Sequence, residues 1–223
     1  MRAARQLSAG FTALLFIVFF FSIVTGCSNT YYSALEKIGI HKRDILVDRV
    51  EGARDAQTEA QEQFKSALEQ FASVVQLKET DLKKAYDKFN TEYLDCEQAS
   101  EDVSERIDKV EKVSEALFEE WEEELELYQN REFRAISKQQ LRKTKSRYRK
   151  MLKTMRTAER SMEPVLRTFR DNVLFLKHNL NAQAIGSLQA EFSGLEKDID
   201  LLIRKMNAAI DESNTFIAQM SSI

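Results

Sequence analysis

The sequence predicts an all-α protein: an elongated antiparallel helical bundle or coiled coil of about four long helices, the third kinked at Pro164. Three observations carry that prediction. From residue 44 onward there is one proline, Pro164, and only Gly52, Gly186 and Gly194, which leaves little room for the turns that strands need. Apolar residues recur in alternating steps of four and three over long runs, the period of a helix face packed along its whole length. A strongly acidic stretch is followed by a strongly basic one, on the two helices that a short turn would lay side by side.

Residues 1–26 stand apart. Arg2 and Arg5 come first, then an apolar run over 11–24 broken only by Thr12 and Ser22, then small residues before a cysteine. Charged, apolar, small is the order of a secretory signal. The run is too short for a spanning helix, which needs ~20 apolar residues. Val24-Thr25-Gly26-Cys27 resembles the lipobox of bacterial lipoproteins. That resemblance implies cleavage before Cys27, a diacylglycerol on its sulfur and an acyl chain, such as palmitate, on the new amine. At ~0.8 kcal/mol per buried methylene such an anchor does not let go. Ser28 follows where an aspartate would retain a Gram-negative lipoprotein in the inner membrane, so the resemblance implies the periplasmic face of the outer membrane. The competing reading is an uncleaved anchor in which Cys27 is a packed thiol.

Cys27 and Cys96 are the only cysteines, so with Cys27 given to lipid, Cys96 has no partner in the chain. Removing the signal takes away two arginines and moves the formal charge from minus three to minus five. An acidic body argues against nucleic acid as a partner.

Residues 27–43 form a tether. A short amphipathic helix over 30–38, capped by Thr30 and stopped by Gly39, places Tyr31 and Tyr32 beside the lipid. Tyrosine favours the bilayer interface, though docking onto the bundle satisfies the same pattern. His41-Lys42-Arg43-Asp44 then leads into a single coiled-coil domain over 44–223.

Helix one, 44–78, carries Leu46, Val50, Ala53, Gln57, Ala60, Phe64, Ala67, Phe71 and Val74 on one face. Helix two, 80–129, carries Leu82, Tyr86, Phe89, Tyr93, Cys96, Ser100, Val103, Ile107, Val110, Ser114, Leu117 and Trp121, and Thr80-Asp81 can start it. With no glycine or proline in 76–80, one continuous helix remains an alternative to a fold-back. Helix three, 137–180, opens on the capping box Ser137-Lys138-Gln139-Gln140 and bears Tyr148, Met151, Met155, Ala158, Met162, Val165, Phe169, Val173, Leu176 and Leu180. Pro164 lacks an amide donor and is expected to bend this helix without ending it, since the stripe resumes in phase. Asn179 and Asn181 suit the turn into helix four, 183–220, whose stripe runs from Ile185 to Met220. Helices two and three are the longest, so their hairpin overhangs the rest, with a tip near 130–136.

Candidate surfaces follow from charge. Residues 101–126 hold twelve acids and three bases, and residues 131–160 hold twelve bases and two acids. The basic run Arg142, Lys143, Lys145, Arg147, Arg149, Lys150 and Lys153 has the composition to bind anionic lipid or peptidoglycan acids. The plainer expectation is neutralisation by Glu119, Glu120, Glu122, Glu123, Glu124 and Glu126 of helix two. A polar cluster of Arg170, Asp171, Lys177, His178, Asn179 and Asn181 is the candidate protein-interaction surface. Capping explains its asparagines, and no nucleophile or second histidine joins His178. Tyr31, Tyr32, Arg131, Phe133 and Arg134 are candidates for contact with membrane or wall. Cys96, Met151, Met155 and Met162 occupy core positions and call for no cofactor or metal.

Tyr31-Tyr32-Ser33-Ala34-Leu35-Glu36-Lys37-Ile38-Gly39, the run from His41 through Arg49-Val50, and Lys177-His178-Asn179-Leu180-Asn181-Ala182-Gln183-Ala184-Ile185 resemble the proteobacterial family catalogued as domain of unknown function 2959. The resemblance covers nearly all of the mature chain. It implies a helical lipoprotein and brings no catalytic or binding residue with it. Together these features predict a non-enzymatic, lipid-tethered scaffold or spacer that binds an envelope protein or itself, with no small-molecule substrate. Direct binding of anionic lipid or peptidoglycan through basic helix three and the hairpin tip is the alternative.

Overall fold

The computed structural model describes residues 41–76 and 82–221 of the chain. Four helical columns account for them: α1 Lys42–Val75, α2 Leu82–Leu125, a third column made of α3 Arg131–Arg160 and α4 Met162–His178, and α5 Ala182–Met220. No strand occurs among the described residues. The signal, Cys27, Tyr31, Tyr32 and the tether helix lie outside them, as does the expected start of the second helix at Thr80-Asp81.

Helices one and two fold back on each other. Lys42 Nζ, at the start of α1, meets Glu120 near the end of α2 at 2.7 Å, and Gln63 Nε2 donates to Glu92 at 2.9 Å. At the other end Phe71 packs on Phe89 with ring centroids 5.0 Å apart. α5 returns antiparallel to α1: Arg54 bonds Asn214 at 3.2 Å, Gln61 bonds Asn207 at 2.8 Å, and Gln189 donates to the Val75 carbonyl at 2.7 Å. The third column packs on α2 and α5, which places it diagonally across from α1. The result is an up-down-up-down bundle of the kind that short connections favour.

The stripes read from the sequence are the core. Every residue of the helix-one stripe, Gln57 included, is completely buried. Phe64 and Phe71 of α1, Phe89 of α2, Phe169 of α4 and Phe192 of α5 form one aromatic cluster across the four columns. Centroid separations are 5.6 Å for Phe89–Phe169, 6.3 Å for Phe64–Phe169 and 6.0 Å for Phe71–Phe192. Nearer the other end, Phe118, Tyr148 and Phe216 join α2, α3 and α5. Leu180 departs from its stripe: it follows the end of α4 and is 43% exposed.

Several boundaries differ from expectation, with α2 stopping at Leu125, short of 129, and α4 at His178, short of 180. The third column begins at Arg131, not at the Ser137 box. Asn130 caps it, its side-chain oxygen accepting from the amides of Glu132 at 2.8 Å and Phe133 at 3.3 Å. An N-cap of this kind, followed by an acid in the first turn and no breaker, starts the helix two turns early. Ser137 is buried and its hydroxyl accepts from Trp121 Nε1 at 2.8 Å instead.

The kink expected at Pro164 is not found. The helical ladder of the column lapses instead at Ser161, three residues before Pro164. The Ser161 amide bonds the Ala158 carbonyl at 3.0 Å, three residues back, and its hydroxyl bonds the same carbonyl at 2.7 Å. Pro164 therefore falls in the first turn of a new helix, where the amide it lacks has no partner to lose. The stripe continues in phase across the break, with Ala158, Met162 and Val165 all buried.

Phe89 touches two other rings and is fully buried. Phe89→Ala is expected to cost about 3–5 kcal/mol. Urea denaturation followed by circular dichroism checks this, and a loss no larger than that of an exposed Leu94→Ala control would show that the cluster does not organise the core.

Candidate interaction surfaces

The acidic and basic stretches do lie side by side, but their charges pair only in part. Arg156 is the hub of the α2–α3 seam: its guanidinium bonds Asp108 and Glu111 of α2 and Glu159 of its own helix. Burial pulls the Arg156 pKa down, yet the bonds to Asp108, Glu111 and Glu159 outweigh it and hold the charge firmly in place. Lys145 meets Glu122 at 2.6 Å, and Arg134 pairs with Glu126. Lys150 turns the other way and meets Glu212 of α5 at 2.7 Å. Arg142, Lys143, Arg147, Arg149 and Lys153 are exposed, with no carboxylate in ion-pair range among the described residues. The expected neutralisation by helix two thus holds for Lys145 and fails for most of the run. Sequence reading passed over Arg156 because it looked like one base among twelve. Antiparallel alignment about the 126–130 turn puts it level with Asp108 and Glu111 and so identifies it.

At the far end the residues of the polar cluster stay spread over the surface. Arg170, Asp171, Lys177, His178 and Asn181 are exposed, and Asn179 is half-buried. Asn179 Nδ2 donates to the Phe175 carbonyl at 2.9 Å, and the Asn181 side chain caps α5 by accepting from the Ala184 amide at 3.0 Å. Both asparagines are occupied in ending and starting helices. Arg170, Asp171 and His178 share the outer face of α4 with Leu174, which is 49% exposed. Phe175 and Leu180 are exposed nearby. The feature that sequence reading missed here is apolar: the charged residues surround greasy ones.

The near end gathers the start of α1 and the α2–α3 hairpin. His41, Lys42 and Arg43 line a cleft with Leu117, Glu120, Trp121 and Glu124. The Lys42–Glu120 pair ties the base of the hairpin to α1, and the Trp121–Ser137 bond ties its two arms together. Beyond them Arg131 and Phe133 are exposed, and Arg134 is partly covered by its bond to Glu126.

Buried polarity is confined to a few side chains. Gln57 is fully buried with neither amide atom bonded, and Asn172 Nδ2 and Thr144 Oγ1 are likewise unpaired. An unpaired buried amide destabilises. Among the described residues no three His, Cys, Asp or Glu side chains gather closely enough to hold a metal ion, and no helix is long and apolar enough to cross a membrane.

A family model described as protein of unknown function, DUF2959, matches residues 31–220, and the chain belongs to that family. No curated protein and no solved structure matches it. Reactivity must then be read from the groups themselves. Cys96 is completely buried in the α2 stripe, and burial, followed by the nearby Glu92 and Asp95 carboxylates, pushes its thiol far above the usual range. Its thiolate is the reactive form, so it is expected to resist iodoacetamide in the folded protein and to react fully in denaturant, as mass spectrometry would read. Fast labelling of the native chain would contradict the burial.

Tyr148 gives a second check. Burial pushes its phenol up to about 12, Glu111 and Glu115 add to the shift, and a hydrogen bond with Ser114 opposes it. A raised pKa means the folded state favours the neutral ring. Its contribution to stability is whole below pH 10 and is lost as pH rises from there toward about 12. The urea midpoint should fall across that window, and by less in Tyr148→Phe.

Proposed function

We propose that this member of the DUF2959 family is a non-enzymatic, lipid-anchored spacer of the bacterial envelope. Cys27 carries the lipid at the outer membrane, the bundle stands in the periplasm, and its far end meets an envelope protein or a second copy. The observation that carries this reading is the separation of the two ends. The chain enters the bundle at His41, beside the hairpin base. Leu174, Phe175 and Leu180 are exposed at the opposite end, next to Lys177 and His178. A helix of 39 residues such as α5 spans about 58 Å. An apolar patch rimmed by charge at that distance from the anchor is what a protein contact uses.

The unpaired bases of α3 favour a second reading. Arg142, Arg149 and Lys153 recur at helical spacing along one outer face, and such a ridge is suited to anionic lipid headgroups or the acids of peptidoglycan.

Cys27→Ser is expected to move the protein from the membrane to the soluble envelope fraction, with its thermal melt unchanged. Unfolding on that change, or unchanged membrane fractionation, would contradict the division between anchor and body. Crosslinking in intact cells should trap an envelope protein or a dimer, and Leu174→Ser with Phe175→Ser should abolish the product. If trapping fails, and the unlipidated chain instead sediments with anionic vesicles or peptidoglycan until salt is raised, the basic ridge is the working surface.

A further inference from the structure

We propose that the tip of the α2–α3 hairpin seats in the bilayer surface beside the Cys27 lipid, with Leu127, Tyr128, Phe133 and Ile136 entering the boundary between headgroups and acyl chains. The proposal rests on the reading of Cys27 as the lipid attachment site.

Exposed apolar side chains are concentrated at this tip. Of the nine large hydrophobic residues exposed among those described, four fall within residues 127–136, and Leu127 at 75% and Phe133 at 59% are the two most exposed of all. They are uncovered because the hairpin outruns its neighbours. α1 begins level with Glu120, whereas α2 continues to Leu125. At the other flank Tyr148 packs on Phe216 of α5, and that helix ends one turn later. From 126 to 136 every residue but Arg134 is exposed. A soluble body gains nothing by displaying such a cluster in water, and a tip that enters lipid removes it from water.

Placement supplies the occupant. The tip projects roughly 10 Å beyond the level of His41. Fourteen residue steps separate His41 from Cys27, a reach of at most about 48 Å. The tip is at the end of the bundle where the tether joins it, and the bilayer that holds the lipid is within its reach. The anchor also makes the tip's contact intramolecular, so four modest side chains suffice where they would not hold a free protein. The Trp121–Ser137 bond and the Lys42–Glu120 pair fix the hairpin base, so little freedom is lost on contact.

Charge refines the chemistry. Over residues 122–138 five glutamates stand against Arg131, Arg134 and Lys138, with Arg134 engaged by Glu126 and Glu122 by Lys145, so the tip carries a slight acidic excess. An acidic collar is repelled by anionic headgroups and tolerates zwitterionic ones. The surface it fits is rich in phosphatidylethanolamine, and the contact is apolar. On this reading the apolar side chains, not Arg131 and Arg134, make the contact.

The test uses the lipidated full-length protein in vesicles of phosphatidylethanolamine and phosphatidylcholine whose acyl chains carry bromine. In a Trp121→Phe background, shown to be folded by its melt, a single tryptophan is placed by Leu127→Trp, Phe133→Trp or Leu180→Trp. The two tip tryptophans are expected to be strongly quenched and blue-shifted, and the far-end one to behave as it does in unbrominated vesicles. Raising salt should leave the quenching in place. Protein that floats with the vesicles while its tip tryptophans stay unquenched overturns the proposal and spares the anchor. Protein that fails to float overturns both. Quenching abolished by salt overturns the apolar contact in favour of the basic ridge, and a tip tryptophan shielded without bromine quenching overturns it in favour of a protein partner.

Discussion

Phe169 is the contact on which the bundle closes. It lies on the third column, touches Phe64 of α1 across the diagonal and meets Phe89 of α2 edge-on, and those rings continue through Phe71 to Phe192 of α5. A heptad stripe by itself specifies that helices pack, not which level of one meets which level of the next. Large planar rings at 5–6 Å have few alternative arrangements, so the cluster fixes the levels of four columns together. The second layer of Phe118, Tyr148 and Phe216 repeats the constraint toward the other end, and small residues such as Ala53, Ala60, Ala158 and Ala209 fill the stretch between them.

Register set by aromatics explains what the charges do. The acidic and basic stretches confront each other only because α2 and α3 turn back over 126–130, and each exposed pair formed there contributes just ~0.2–1 kcal/mol. Arg156 is different, since it is partly buried and satisfies three carboxylates at once. A shift by one helical turn would leave Asp108 and Glu111 without it, so the seam penalises wrong alignments more than it rewards the right one. The surplus of bases on the outer face of α3 then falls outside this role.

Periodicity made the core legible: the stripes named Phe64, Phe89, Cys96, Met155, Phe169 and Ile199 as interior, and all are fully buried. Such positions are dictated by one-dimensional spacing. Boundaries were less legible because they depend on competition. Ser137 has the pattern of a capping box, but Asn130 caps first, and the hydroxyl of Ser137 has a better use across the seam. Pro164 carried a steric penalty that seemed to demand a kink, until the break at Ser161 placed it where that penalty vanishes. The surfaces were hardest to see. The overhang marks Phe133 in the sequence, but Leu127 and Leu174 look like ordinary helix residues there, and their exposure depends on where the columns end and which way α4 faces.

The alternation of the columns also has a mechanical side. A pull along the long axis, entering at His41 and leaving at the 179–181 turn, cannot peel one helix from the next. It must slide α1 past both α2 and α5 along their whole shared length, so that the interdigitated stripes resist together and no single pair yields alone. The break at Ser161 lies nearly two-thirds of the way along the third column, between the levels of the two aromatic layers, and is the place where its ladder is weakest. Load between the ends is therefore carried in shear by the packed stripes, not by any single helix.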